Sequence, residues 1–231
     1  MTEEEWLTGT DPEPMLEFLR HGVNERKLRL FECACCRHIW HLIPPYHRRT
    51  VEVAERFADG LATVKELHQS YQITRETPEN HEGDFDPAGE GNDYDPFIVP
   101  WPSQATTATA FSPGGWDELD ASYWSAELAA WTRPKQVYRE ERKAQTHLLR
   151  DICGNPFRPV AREASWVAWE GGTIQKLAFA AYEEHCFESL PVLADALEDA
   201  GCTNADILSH LRGPGPHVRG CWVLDLILGK S

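Results

Sequence analysis

Positive charge is missing from one long stretch of this sequence: Glu76 to Thr132 contains no Lys or Arg and twelve acidic residues. The formal net charge of -15 therefore resides largely there, and the remainder is three charges short of neutral. An acidic field of this kind repels a phosphate backbone, so nucleic acid is not expected as a partner, whereas metal ions and basic proteins are compatible with it. A long apolar run is also missing. The longest, Cys221 to Leu228, is interrupted by Asp225 and falls far short of the ~20 residues a bilayer span requires, so no membrane partner is expected. The opening Met1-Thr-Glu-Glu-Glu-Trp-Leu has neither a basic nor an apolar region of the secretory type. Seven cysteines, an odd count, argue against a disulfide framework and for reduced thiols, and a soluble cytoplasmic protein is the expectation.

Recognisable catalytic signatures are absent too. There is no Gly-x-Ser-x-Gly elbow, no phosphate-binding Walker loop, no His-Glu-x-x-His and no dinucleotide glycine pattern, so the catalytic residues are unknown. An enzyme is still compatible with the sequence, because residues assembled from separate helices leave no local trace.

What is present is globular. Hydrophobic residues make up 42% of 231, with nine Trp, nine Phe and six Tyr to bury, enough for one large core. The periodicity is helical. Thr2 with Glu5, and Thr63 with Glu66, have capping-box spacing; Asp11-Pro12 and Asn24 can open helices, and Gly22, Gly60, Gly154 and Gly201 can close them. Apolar residues recur at helical spacing through Met15, Leu16 and Leu19, through Leu28 to Leu42 before Pro44-Pro45, through Val51 to Ala58, and through Val137 to Ile152. Thr173, Ser189 and Thr203 can cap three further helices. Gly213-Pro-Gly-Pro is a rigid break, and Val218 to Leu228, apolar on nearly every side, should be the central, most buried element. The fold class expected is mainly α, a bundle of about eight to ten helices forming one domain. It divides into an N-terminal helical part (1–72), an acidic Pro/Gly-rich insertion (77–115) and a C-terminal helical part (116–231). Phe97-Ile-Val in the insertion is a candidate short strand, and Leu119 to Trp131 reads as a further helix.

Four phrases are distinctive: Leu28-Arg-Leu-Phe-Glu-Cys-Ala-Cys-Cys-Arg-His-Ile-Trp, the run from Leu148 to Pro159, the run from Leu190 to Cys202, and His217-Val-Arg-Gly-Cys-Trp-Val-Leu-Asp-Leu-Ile-Leu-Gly-Lys. They resemble a planctomycete family of paralogous uncharacterised helical proteins. The resemblance implies a bacterial cytoplasmic setting and one continuous module with a variable middle. It supplies no catalytic residue.

Three candidate sites follow from residue chemistry. Cys33 and Cys36, with His38, His41 and His47 nearby, have the thiolate and imidazole character of zinc ligands; His217 and Cys221, four apart on the last helix, are the second pair that would complete a tetrahedral set. Ordinary core packing is the competing explanation for the cysteines. Asp84, Asp86, Asn92 and Asp95 partly match a calcium loop, although Ala88 stands at a ligand position and Pro78, Pro87 and Pro96 disfavour flanking helices. Arg158, held between prolines, could form an anion pocket with His217, Arg219 and Asp225. Asp225, in an apolar helix, needs a partner, for which Arg158, Arg219 or a helix N-terminus are the candidates. Thus the leading functional expectation is a helical binding or regulatory module acting through protein contacts, with the insertion as its contact element. The alternative is a metal-binding protein or enzyme using the Cys/His cluster or the Arg/Asp/His pocket, with zinc or calcium as the ion.

Overall fold

The computed structural model describes residues 1–20, 22–76 and 135–230. Among them are eleven α-helices and no strand, as the periodicity predicts. They are α1 (Glu3–Thr8), α2 (Pro12–Leu19), α3 (Glu25–His38), α4 (Pro45–Ala58), α5 (Val64–Glu76), α6 (Lys135–Cys153), α7 (Ala164–Ala168), α8 (Thr173–Glu183), α9 (Leu190–Asp199), α10 (Ala205–Arg212) and α11 (Trp222–Leu228). The Phe97 strand, the helix at Leu119 to Trp131 and the calcium loop of Asp84, Asp86, Asn92 and Asp95 lie outside the described residues, as does the insertion.

Local chemistry sets most helix starts. Thr2 Oγ1 accepts the Glu5 amide while the Glu5 carboxylate accepts the Thr2 amide, completing the capping box of α1. Thr63 and Glu66 do the same ahead of α5. Asp11 caps α2 with Pro12 at its first position, and Asn24 caps α3. Two expected caps move. Thr173 is inside α8, its hydroxyl donating to the Glu170 carbonyl. Asn204 rather than Thr203 caps α10, accepting the amides of Asp206 and Ile207.

Three cores result. Trp6, Met15, Phe31, Leu148, Leu149 and Ile152 pack α1, α2, α3 and α6 together. Ile39, Ile43, Val51, Ala54 and Leu67 join α3 to α4 and α5. Tyr182, Leu190, Leu197, Ile207, Val223 and Leu224 fill the core of α7 to α11. Helix α6 therefore packs with the N-terminal helices, although it follows the insertion in sequence, and Trp6 Nε1 donates to the Gly154 carbonyl at its end.

Helix α3, with nine consecutive buried residues from Leu28 to Cys36, takes the central place expected of the last helix. It is packed on two faces, whereas α11 has seven residues and leaves Trp222, Leu226 and Leu228 partly exposed. The expected start of the last helix at Val218 is also corrected. Gly220 has φ 93°, which breaks the helix before Cys221 and lets the backbone approach Leu30; a Cβ there would lie 2.8 Å from Leu30 Cδ1.

The two ends of the chain are joined by buried charge. Asp59, whose side chain is fully buried, accepts from Arg26, Tyr182 and Arg219. Burial pushes its pKa up, but the Arg26 and Arg219 guanidiniums outweigh this and hold it below the ordinary value. Asp225 pairs with Arg26 through two hydrogen bonds of 2.7 and 2.9 Å, with Lys27 Nζ at 3.6 Å. Its partner is thus neither Arg158 nor Arg219, because α11 presents Asp225 to the first turn of α3.

Candidate metal centre

The last four residues of α6 include Asp151, on a face adjoining the one that buries Leu148 and Ile152. Its side chain is 2% exposed. Beyond α10 the chain turns through Gly213-Pro-Gly-Pro, where two prolines supply no backbone N–H and fix φ. This turn brings His217 back beside His210, the two rings 4.9 Å apart and nearly perpendicular. Cys221 follows as the residue before α11, fully buried.

Asp151, His210, His217 and Cys221 converge. One ligand-type atom from each lies within 4.8 Å of all the others. His217 Nδ1 is 2.9 Å and His210 Nε2 3.1 Å from Asp151 Oδ1, and His210 Nε2 is 3.2 Å from Cys221 Sγ. The second carboxylate oxygen accepts the Val218 amide at 2.9 Å, which fixes the rotamer of Asp151. Bonds of 2.0 to 2.3 Å to a tetrahedral zinc ion place neighbouring ligand atoms about 3.3 Å or slightly more apart, so small outward shifts would accommodate an ion.

The electrostatics are those of a held carboxylate. Burial pushes Asp151 up, but hydrogen bonds from His210 and His217 outweigh it and keep the group below the usual carboxylate range. For His217 burial acts downward, and the Asp151 contact more than reverses it. Burial, with the Asp151 charge adding to it, drives the Cys221 thiol well above its ordinary value. Such a thiol is a poor nucleophile. A bound divalent cation would deprotonate it outright.

The proposed zinc set of Cys33, Cys36, His217 and Cys221 is accordingly half replaced. Among the described residues the group close enough to share an ion contains His217 and Cys221 but neither Cys33 nor Cys36. The turn at 217–219 does border a cavity with α3, but the α3 residues there are Leu30, Ala34 and Arg37. Cys33 and Cys36 belong to the core against α4, with Cys33 Sγ 3.9 Å from the Val51 carbonyl. Their nearby histidines diverge: His38 binds Glu141 at 2.7 Å, His41 is exposed and His47 is buried.

The Arg158, His217, Arg219 and Asp225 pocket is split. Arg158 is on the surface, paired with Glu3 at 2.6 Å. It borders one cavity with Asp225, while His217 and Arg219 border another. Arg219 is committed to Asp59 and Glu183.

Asp151 and His210 escape a reading of local motifs, since each sits in an ordinary amphipathic helix. The available signal is the order His210, Gly213-Pro-Gly-Pro, His217, Cys221, in which ligand-type residues bracket a rigid turn. No known protein family, curated protein or solved structure matches the chain.

Proposed function

We propose that this chain is a metal-binding helical protein whose ion, of the zinc type, is held by Asp151, His210, His217 and Cys221. One observation carries the reading. In a Cys-His-Asp catalytic triad the thiol and the carboxylate face opposite nitrogens of the imidazole. Here Cys221 Sγ and Asp151 Oδ1 both approach Nε2 of His210. The groups thus converge on one point, as ligands do, instead of forming a relay. The mixed sulfur, nitrogen and oxygen donor set suits zinc or a similar transition ion more than calcium or magnesium, which prefer oxygen.

An ion there would tie α6 to the turn after α10 and to the start of α11. An ion held by protein ligands contributes its binding free energy to folding, which fits a junction between two cores. The test is metal analysis of the full chain purified without chelator, beside His210→Ala and Cys221→Ser. Roughly one zinc-type ion per chain is expected in the parent, falling at least about tenfold in both variants. A parent protein that carries no ion and takes up none from micromolar zinc would overturn the reading.

A further inference from the structure

We infer that the ion has an open coordination face and that a small oxyanion binds there; this rests on the metal-binding reading above. A cavity of about 180 Å³ adjoins the centre, and its walls include Asp151, His210 and His217 but not Cys221. An ion among the four ligands would therefore have the thiolate behind it and the cavity in front, across the triangle of carboxylate and two imidazoles. A fifth ligand entering through that triangle arrives opposite sulfur. Zinc tolerates five ligands, as it does at catalytic sites that keep a position open.

The far wall selects the ligand's charge. Asp151 and a deprotonated Cys221 together neutralise a divalent ion, so the charge that decides the field is that of Arg150, which lines the same cavity. Its hydrogen bonds go to the carbonyls of Trp6 and Gly9, to the Thr146 hydroxyl and to the Met15 sulfur, none of them anionic. Four of its five N–H groups are used by these contacts, and one remains for a ligand. Beside it, the exposed imidazole of His147 also borders the cavity. Ser209 adds a hydroxyl at the rim. In a chain of net charge -15 this is a locally positive recess, next to a Lewis acid, with room for a ligand of a few heavy atoms. Phosphate or a short carboxylate has the required chemistry: one oxygen for the ion and another for the guanidinium.

Cobalt(II) replaces zinc in such sites and reports its own coordination, since four-coordinate cobalt absorbs visible light several-fold more strongly than five-coordinate cobalt. The cobalt-loaded full chain is titrated with inorganic phosphate and, separately, with acetate. The expected result is a thiolate-to-cobalt charge-transfer band on loading, then a saturable fall in visible intensity as the oxyanion binds. Arg150→Gln should weaken that binding, but Arg150 also anchors Trp6 and Gly9. His147→Glu, at an exposed position, therefore serves as the second variant and should weaken phosphate at least about tenfold while leaving cobalt uptake intact. Failure to bind cobalt would overturn the metal-binding reading and this inference with it. Four-coordinate cobalt that ignores both anions would leave the metal site standing and overturn the open face. Anion binding of equal strength in the parent and His147→Glu would move the anion elsewhere and also overturn it.

Discussion

Cys33 and Cys36 sit in α3 among Ile39, Val51 and Val53, whereas Cys221 sits at the start of α11 among Asp151, His210 and His217. All three thiols are buried and all three are pushed far up from the ordinary thiol value by that burial. Burial therefore does not distinguish them. The difference lies in how the donors are arranged: among the described residues no ion-sized group includes Cys33 or Cys36, whereas two imidazoles and a carboxylate converge with Cys221. The cysteine-rich phrase is thus a packing element, and the lone cysteine after His217 is the candidate ligand.

Metal removal should draw this contrast most strongly. If the ion is present at about a thousand times its dissociation constant, its loss to a chelator removes roughly 4 kcal/mol of stability. For a chain of this size that lowers the melting temperature by about 10 °C. Re-addition of zinc should restore it, and the Cys221→Ser protein should melt low with or without zinc. A parent melting curve indifferent to chelator would erase the distinction between the two regions.

Asp59 tests how the regions are joined. It accepts from Arg26 on α3, Tyr182 on α8 and Arg219 before α11, with Lys230 Nζ 3.4 Å away. Asp59→Ala leaves these cations buried with less compensation, and a loss of about 3–4 kcal/mol is expected in denaturant unfolding. The N-terminal and C-terminal cores should then unfold at separate denaturant concentrations, because one of the buried charge links between them is gone. A single transition at the parent midpoint would show that Asp59 does not hold them together.

The N-terminal region carries a histidine of the opposite kind to His217. His47 in α4 is fully buried, and burial lowers its pKa to about 4. The folded chain keeps it neutral down to that pH, while the unfolded chain protonates it below its ordinary 6.5. Its contribution is present above pH 6.5 and is lost as the pH falls from there toward 4, by up to about 2–3 kcal/mol. His47→Gln should remove that part of the acid destabilisation. Parallel stability curves for parent and variant between pH 6.5 and 4.5 would contradict it.

Helices were legible because periodicity and caps are local: Thr2 with Glu5, Asp11 with Pro12, and Asn24 each act within four residues of themselves. The site was half legible. His217 and Cys221 are ligand types at short spacing, but their partners depend on how distant helices pack. Asp151 is 59 residues before His210 in the sequence, and only the packing of α6 under the Gly213-Pro-Gly-Pro turn brings them together. Arg26 was invisible as the Asp225 partner for the same reason, the two being 199 positions apart in the sequence.

The smallest expected effect is also the cleanest control on the comparison. Cys33→Ala removes one sulfur from a packed core, leaving a space about the size of a methyl group, and should cost about 1 kcal/mol. It deletes no group near Asp151, so the ion content should equal that of the parent. The two outcomes are separable: the stability loss reports packing around Val51, and the ion content reports coordination. If Cys33→Ala instead emptied the protein of metal, the sulfur would have to reach the centre past Leu30 and Ala34, which line the face of α3 toward His217. That would require α3 to turn about its own axis, carrying Phe31 and Cys35 out of the core they share with Leu148 and Ile152. A small change in stability with full metal content therefore supports both assignments at once, the thiols of α3 as packing and Cys221 as ligand.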